Sequence, residues 1–132
     1  MVIIMSHWTV AKIEINNPDL QLLKQALEML AKELNSFVIE DFIVTGYRHK
    51  ERCLFAIPLK LKYGNGYGVT VKDGKLYVVV DDHGAPMSAT EFRNKLVQYY
   101  TALAVLKAVQ MLGFNVQNVN EVQGNIVIDL GW

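Results

Sequence analysis

The stretch SATEFRNKLVQYYTALAVLKAVQMLG, residues 88–113, decides the fold class because it predicts one long helix of about six turns. Ser88 and Glu91 have the spacing of a capping box, in which the two side chains satisfy free amide groups of the first turn. Gly113 is typical of the position just after a helix. The predicted core stripe recurs at steps of three and four residues: Phe92, Leu96, Tyr99, Leu103 and Leu106.

The two halves of this helix differ in character. Residues 88–101 have the polar and apolar faces of a helix that lies on a sheet, whereas residues 102–112 contain only Lys107 and Gln110 as polar members. We therefore expect the second half to be covered nearly all round. Either the chain's own sheet covers it, or it forms an interface with another molecule. The candidate interface residues are Trp8, Val105, Val109, Leu112 and Trp132.

The rest of the chain predicts strands and one shorter helix. Asn17 and Pro18 fit the N-cap and first position of a helix that continues as a leucine stripe from Leu20 to Leu34. Asp73-Gly74 is typical of a tight hairpin turn. Alternating or β-branched runs predict strands at residues 8–15, 37–47, 53–63, 69–72, 75–80, 114–119 and 125–130.

The predicted order is β-α-β-β-β-β-α-β-β. It favours an α+β fold over residues 1–132, a single domain with an antiparallel or mixed sheet and both helices on one face. In the third predicted strand, Cys53, Phe55, Ile57, Leu59, Leu61 and Tyr63 are expected to share one face. Pro58 lacks an amide hydrogen, which favours an edge position or a bulge for that strand.

Charge is balanced overall but not locally. The chain has 13 basic and 13 acidic residues, so no net field attracts nucleic acid or an anionic membrane. Residues 48–75 nevertheless carry a net charge of +5. The basic residues are Arg48, Lys50, Arg52, Lys60, Lys62, Lys72 and Lys75. With nearby tyrosines they form a candidate contact for nucleic acid or another anion, and the alternative is an ordinary charged face that deters edge pairing.

No motif indicates catalysis, a cofactor or a metal. Asp81-Asp82-His83 and His7 are the candidate ligands or bases, and both fit ordinary loop and hydrogen-bonding roles. An enzyme would need His7 or His83 to meet carboxylates from distant segments. Gly64-Asn65-Gly66-Tyr67-Gly68 is followed by no helix, so it predicts a turn and not a phosphate loop.

Membrane and export signals are also missing from the pattern. The apolar start, residues 1–5, is too short for a signal peptide, and no apolar run has the length of a membrane span. The single cysteine, Cys53, cannot form an intrachain disulfide and is expected to be buried. We therefore expect a cytoplasmic protein without a membrane contact.

Short segments in a fixed order resemble a family. The segments are Met5-Ser6-His7-Trp8, Asp19-Leu20, Leu22-Leu23-Lys24-Gln25-Ala26-Leu27, Gly46-Tyr47-Arg48, Gln98-Tyr99-Tyr100, Val105-Leu106, Gly113-Phe114-Asn115-Val116 and Trp132. Together they resemble the hypothetical chloroplast reading frame thirty-five family, small proteins of cyanobacteria and plastids. The resemblance implies that Met5 is the equivalent start and that residues 1–4 are an N-terminal extension. It implies no activity and therefore no catalytic residues.

Two functions remain open at this point. The missing chemistry and the apolar second half of the long helix favour a non-catalytic protein-binding or assembly module, with another protein or a second copy of the chain as the expected partner. The alternative is a nucleic-acid-binding module that uses the basic residues of the central strands, which the zero net charge disfavours.

Overall fold

A computed structural model describes residues 8–131 and has the predicted order of elements. The α+β class is therefore confirmed. The strands are β1 (Trp8–Ile13), β2 (Ile39–Thr45), β3 (Lys50–Pro58), β4 (Gly66–Lys72), β5 (Lys75–Asp81), β6 (Asn115–Val122) and β7 (Asn125–Gly131). The helices are α1 (Leu20–Glu33) and α2 (Ala89–Met111). All strand pairs are antiparallel, and the main sheet has the order β1-β5-β4-β3-β2.

Both helices cover one face of this sheet, as predicted. Buried side chains of α1, including Leu23, Leu27 and Leu30, form a single cluster with Phe92 and Leu96 of α2. The sheet contributes Ala11, Ile13, Phe55, Ile57, Tyr67, Val69, Leu76, Val78 and Val80 to it. Because this cluster joins both helices and four strands, it is the main hydrophobic core.

The cap of α1 differs from the prediction. Asp19 is the N-cap, and its Oδ1 accepts hydrogen bonds from the amides of Gln21 and Leu22 at 3.0 and 3.2 Å. Asn17, the predicted N-cap, has a φ of 46° and belongs to the turn before the helix. The prediction was wrong by two residues, because Asn and Asp are both good caps and only the turn decides between them.

The start of α2 confirms Ser88 as the predicted cap. Its hydroxyl accepts from the amide of Glu91 at 3.1 Å. Asp82, just after β5, provides a second cap, because its Oδ2 accepts a hydrogen bond from the Ala89 amide at 2.9 Å. Its Oδ1 accepts a hydrogen bond from the Thr9 hydroxyl at 3.3 Å. The loop between sheet and helix is thereby fixed at both ends.

The sheet is curled at β2 and β3. Ile39 and Phe42 pack against the same cluster although they are three residues apart, which a regular strand does not allow. Between them, Asp41 has a φ of 52°, so the alternation of sides shifts there. Glu40 and Phe55 are paired on one side of this shift, and Phe42 and Cys53 on the other.

This shift overturns the predicted face of Cys53. Cys53 belongs to a second cluster with Val44, Ala56 and Val79, on the opposite side of the sheet from Phe55. The hairpin of β2 and β3 therefore folds across the face that the helices leave open. Burial and the nearby Glu51 carboxylate raise the pKa of the Cys53 thiol to about 11, so the thiol stays protonated near neutral pH.

The predicted third strand also ends earlier than expected. β3 stops at Pro58, which pairs with Gly66 of β4. Because β3 lies between β2 and β4, Pro58 is not in an edge strand. Residues 59–65 form a loop closed by backbone bonds from Leu59 to Asn65 and from Leu61 to Gly64. A proline at a strand's last residue costs no internal ladder bond.

The end of α2 is not covered by the main sheet. Beyond Thr101, Ala102 is the only α2 residue that is buried. The strands β6 and β7 do not join the main sheet but pair with each other, and their turn is held by a hydrogen bond from Gln98 to the carbonyl of Gly124. The main sheet therefore leaves most of the second half of α2 exposed, and an interface with another molecule at this half stays a prediction.

Gly68 makes the close approach of the curled hairpin possible. A Cβ at this position would lie 2.4 Å from Cys53 Sγ and 2.7 Å from Val44 Cγ2. We expect Gly68→Ala to destabilise the protein by about 1–3 kcal/mol, the usual cost of overpacking. In urea unfolding, Cys53→Ala should recover part of this loss in the double variant, because it removes the sulfur that the new methyl group meets. Strictly additive effects of the two substitutions would contradict this packing.

Candidate functional site

The turn between β2 and β3 lies against the ends of β1 and β5. It is closed by a 2.7 Å hydrogen bond from the Gly46 amide to the His49 carbonyl. The Tyr47 amide donates to Oδ2 of the fully buried Asp81 at 3.0 Å. Gly46 leaves no room for a side chain, since a Cβ would lie 2.7 Å from the Trp8 ring. These contacts hold the turn against β1 and β5, although neither of these strands pairs with β2 or β3.

Asn65 holds the same turn from the other side. Its Oδ1 accepts from the Thr45 amide at 2.8 Å, and its Nδ2 donates to the Ile43 carbonyl at 3.0 Å. An asparagine side chain thus bonds the backbone of β2, which is an edge of the main sheet among the described strands. Together, Asn65 and Asp81 place the turn over one end of the main sheet.

Rings and cations collect at this end. We name this surface the aromatic rim, and it comprises Trp8, Tyr47, Arg48, His49, Lys62, Tyr63 and His83. The rings of Trp8 and His49 are stacked with centroids 5.4 Å apart. Tyr63 meets Tyr47 edge to face at 5.7 Å and His83 at 5.4 Å. The contacts join four segments that are distant in sequence.

The two cations of the rim lie on its tyrosines. Arg48 Cζ is 5.3 Å from the centre of the Tyr47 ring, and Lys62 Nζ is 5.5 Å from that of Tyr63. Within residues 8–131, neither cation forms an ion pair with a carboxylate. Because the two tyrosines touch each other, both positive charges belong to one continuous patch.

The other basic residues predicted as contacts lie elsewhere or are paired. Arg52 binds Asp41 at 2.8 Å, and Lys72 binds Glu51 at 3.3 Å, so two of the seven charges are neutralised locally. The side chains of Lys50, Lys60 and Lys75 are exposed outside the rim. Only Arg48 and Lys62 of the predicted set are brought together with aromatic rings.

The predicted ligand cluster at the end of β5 diverges. Asp81 points to the hairpin turn, Asp82 to the helix cap, and the ring of His83 packs on Tyr63. Across the described part of the chain, no group of three or more His, Cys, Asp or Glu side chains could hold a metal ion. His7, the other candidate, lies outside the described residues.

The glycine-rich segment is a turn followed by a core strand. Tyr67 is fully buried, stacks on Phe92 with ring centroids 4.4 Å apart and hydrogen-bonds both backbone groups of Met87. Burial raises the pKa of its hydroxyl. Tyr67 is therefore a core residue that anchors α2, and it is not available for stacking on a ligand.

A second unusual surface lies at the other end of α2. We name it the C-terminal patch, and it comprises the exposed apolar residues Val105, Met111, Leu112, Val119, Val122, Val127 and Leu130. Its strand residues lie on both faces of the β6–β7 hairpin, since Val119 pairs with Ile128 on the side of α2 and Val122 and Val127 lie on the other side. Met111 and Leu112 are 79% and 72% exposed. A groove of about 490 Å³ separates α2 from β7 and is lined by Ala102, Val105, Ile126 and Ile128 among others.

The predicted interface residues are divided between the two surfaces. Val105 and Leu112 belong to the C-terminal patch, and Val109 is half-buried on the same stretch of α2. Trp8 instead belongs to the aromatic rim. Trp132 and residues 1–4 lie outside the described residues. His83 of the rim precedes α2 and Leu112 of the patch follows it, so a 23-residue helix about 35 Å long separates these two residues, while the turn beside Val122 reaches back to Gln98.

Comparison with known proteins identifies the family. A protein of Guillardia theta, described as "Uncharacterized protein ycf35", is 37% identical over 120 aligned positions, covering 86% of each chain. The chain belongs to the ycf35 family. This confirms the resemblance seen in the order of the short sequence segments. No family model matches the chain, and no solved structure matches it.

The relative is described as uncharacterized, so it assigns no activity to this chain. The function of this member must therefore be inferred from its two unusual surfaces. Within residues 8–131, no helix combines the length and apolar character that crossing a membrane requires.

The Asp81 carboxylate makes a testable contribution to the rim. Asp81→Ala removes the acceptor of the Tyr47 amide, and we expect hydrogen exchange at that amide to accelerate strongly, with a stability loss of about 1–3 kcal/mol. Asp81→Asn is the matched control because it keeps one carbonyl oxygen as acceptor. Unchanged protection of the Tyr47 amide in Asp81→Ala would show that this contact does not hold the turn.

Proposed function

We propose that this ycf35-family protein is a non-catalytic assembly module that binds a second copy of itself through the C-terminal patch. The observation that carries the proposal is that exposed apolar side chains occur together with a two-stranded sheet that is separate from the main sheet. Exposed apolar patches of this kind mark interaction surfaces.

Charge depletion supports an interface at this end. Residues 108–131 contain two charged side chains, Glu121 and Asp129, while residues 1–107 contain the other 24 of the 26 charged residues. Interface cores are depleted in charged residues, because each charge must lose its water when the partner docks. The polar residues of the hairpin are mostly asparagine and glutamine, which exchange hydrogen bonds with water or a partner at low cost.

The hairpin edges support pairing with another strand. β6 and β7 pair only with each other, so each has one open edge in the described chain. Residues 115–131 contain no Lys, Arg or Pro, the residues that commonly block edge pairing. A two-stranded sheet is marginally stable by itself and gains most from further strands or packing.

A second copy of the chain is the occupant that fits these features. The patch offers both a backbone edge and apolar side chains, so it can bind the same patch of another molecule in a two-fold contact. The zero net charge of the chain means that two copies do not repel each other through their overall fields.

The cytoplasm is the compartment that we propose for this module. Its single cysteine is buried, and the raised pKa of the thiol makes it unreactive. The fold therefore requires no oxidising environment.

The alternative function, nucleic-acid binding by the basic face of the central strands, stays a prediction. The ion pairs of Arg52 and Lys72 leave that face with less free charge than the sequence suggests. The free cations beside rings, Arg48 and Lys62, lie at the aromatic rim and not on that face.

Sedimentation equilibrium tests self-association. We expect the unmodified protein to sediment as a dimer and Val122→Lys to weaken the dimer by about tenfold or more, because a lysine would be buried in the contact. Val71→Lys is the matched control, since both valines lie in strands and are 51% and 49% exposed. A strict monomer at all concentrations, or equal weakening by Val71→Lys, would contradict the proposal.

A further inference from the structure

We propose that the aromatic rim binds a nucleobase that carries a phosphate, with the rings of the rim contacting the base and Arg48 and Lys62 contacting the phosphate. This chemistry is shared by free nucleotides and by single-stranded RNA or DNA. The site is distinct from the C-terminal patch and does not depend on self-association.

The rings select an aromatic ligand. The rim has five rings, the stacked pair of Trp8 and His49 and the group of Tyr47, Tyr63 and His83. Tyr47 remains 42% exposed, and His49 is exposed as well. Rings that serve only the core are buried, as Tyr67 and Phe92 are in this protein. Every base has a flat π-face, so exposed rings bind bases with little regard to their identity.

The cations select an anionic ligand. Arg48 and Lys62 lie over tyrosine rings and form no ion pair among the described residues, so their charge is available to a ligand. An arginine can bind a phosphate with two hydrogen bonds, and a lysine adds a point charge. Rings and free cations on one patch match a base joined to a phosphate better than either part alone.

The rim is held in place before any ligand arrives. Asp81 and Asn65 fix the backbone of the turn that carries Tyr47, Arg48 and His49. Two other rings lie at ordered positions, Trp8 in β1 and Tyr63 in a loop closed by backbone bonds. Preorganisation of this kind reduces the ordering cost that a ligand must offset.

Fluorescence of Trp8 provides a direct readout. The chain has two tryptophans, so Trp132→Phe leaves Trp8 as the only reporter. In this background, at low ionic strength, we expect single-stranded oligouridylate to quench Trp8 emission in a saturable way. With two phosphate contacts, the logarithm of the binding constant should fall with the logarithm of salt concentration with a slope of about −1.4.

Variants separate the two kinds of contact. Arg48→Gln should reduce the magnitude of the salt slope by about 0.7, and Lys62→Gln should do the same. Tyr63→Ala should weaken binding about tenfold or more and leave the slope unchanged. Lys75→Gln and Tyr77→Ala are matched controls on the main sheet outside the rim, and we expect both to bind as the parent does.

Two further ligands distinguish the sources of the chemistry. Binding of uridine monophosphate nearly as tight as that of the oligonucleotide would assign the rim to free nucleotides, and much tighter oligonucleotide binding would assign it to single strands. Polyglutamate, which has charge but no rings, should bind at least tenfold more weakly. Absence of quenching by both nucleotide ligands, equal binding of polyglutamate, or equal loss in the control variants would overturn the proposal.

Discussion

The hydrogen bond from the Tyr47 amide to the buried carboxylate of Asp81 is the contact on which the unusual part of this structure depends. It joins the tip of the hairpin formed by β2 and β3 to the far end of β5, although these strands are not neighbours in the sheet. This bond holds the hairpin tip against that end of the sheet. The helices cover one face, and the hairpin covers part of the other.

The hairpin can lie close to the sheet because glycines occupy the two positions where the backbone approaches other side chains. Gly46 lies on the Trp8 ring, and Gly68 lies under Cys53 and Val44. A side chain at either position would push the hairpin away from the sheet. The left-handed backbone of Asp41 supplies the bend itself. The aromatic rim then follows from this position of the hairpin, because the curl brings Tyr47, Arg48 and His49 to the ends of β1 and β5.

Local signals in the sequence predicted most of the fold. The Ser88 cap, the Asp73-Gly74 turn and the periodicity of the helices depend on neighbours within a few residues, and all were confirmed. The curl could not be predicted in this way. The apolar alternation from Cys53 to Tyr63 is continuous in sequence. The neighbouring residues in the sequence do not show that the left-handed backbone of Asp41, opposite Leu54, interrupts this alternation.

The candidate sites were predictable in part for the same reason. Arg48 and Lys62 were named from sequence, but their ring partners come from four separate segments that only the curl brings together. The missing charge at the end of α2 predicted either burial by the chain's own sheet or an interface; most of this half is exposed, and the interface stays a prediction. Whether the chain covers that surface itself depends on where β6 and β7 pack, which composition does not determine.

The position of the hairpin tip is the central claim, and nuclear Overhauser effects measure it most directly. In the curled sheet, the α-hydrogens of Gly46 lie close to the indole ring of Trp8. We predict strong cross-peaks between these α-hydrogens and the ring hydrogens of Trp8, together with ring-current shifts of the Gly46 signals. Cross-peaks confined to neighbours within the β2 and β3 hairpin, with unshifted Gly46 signals, would show an open sheet and contradict the account.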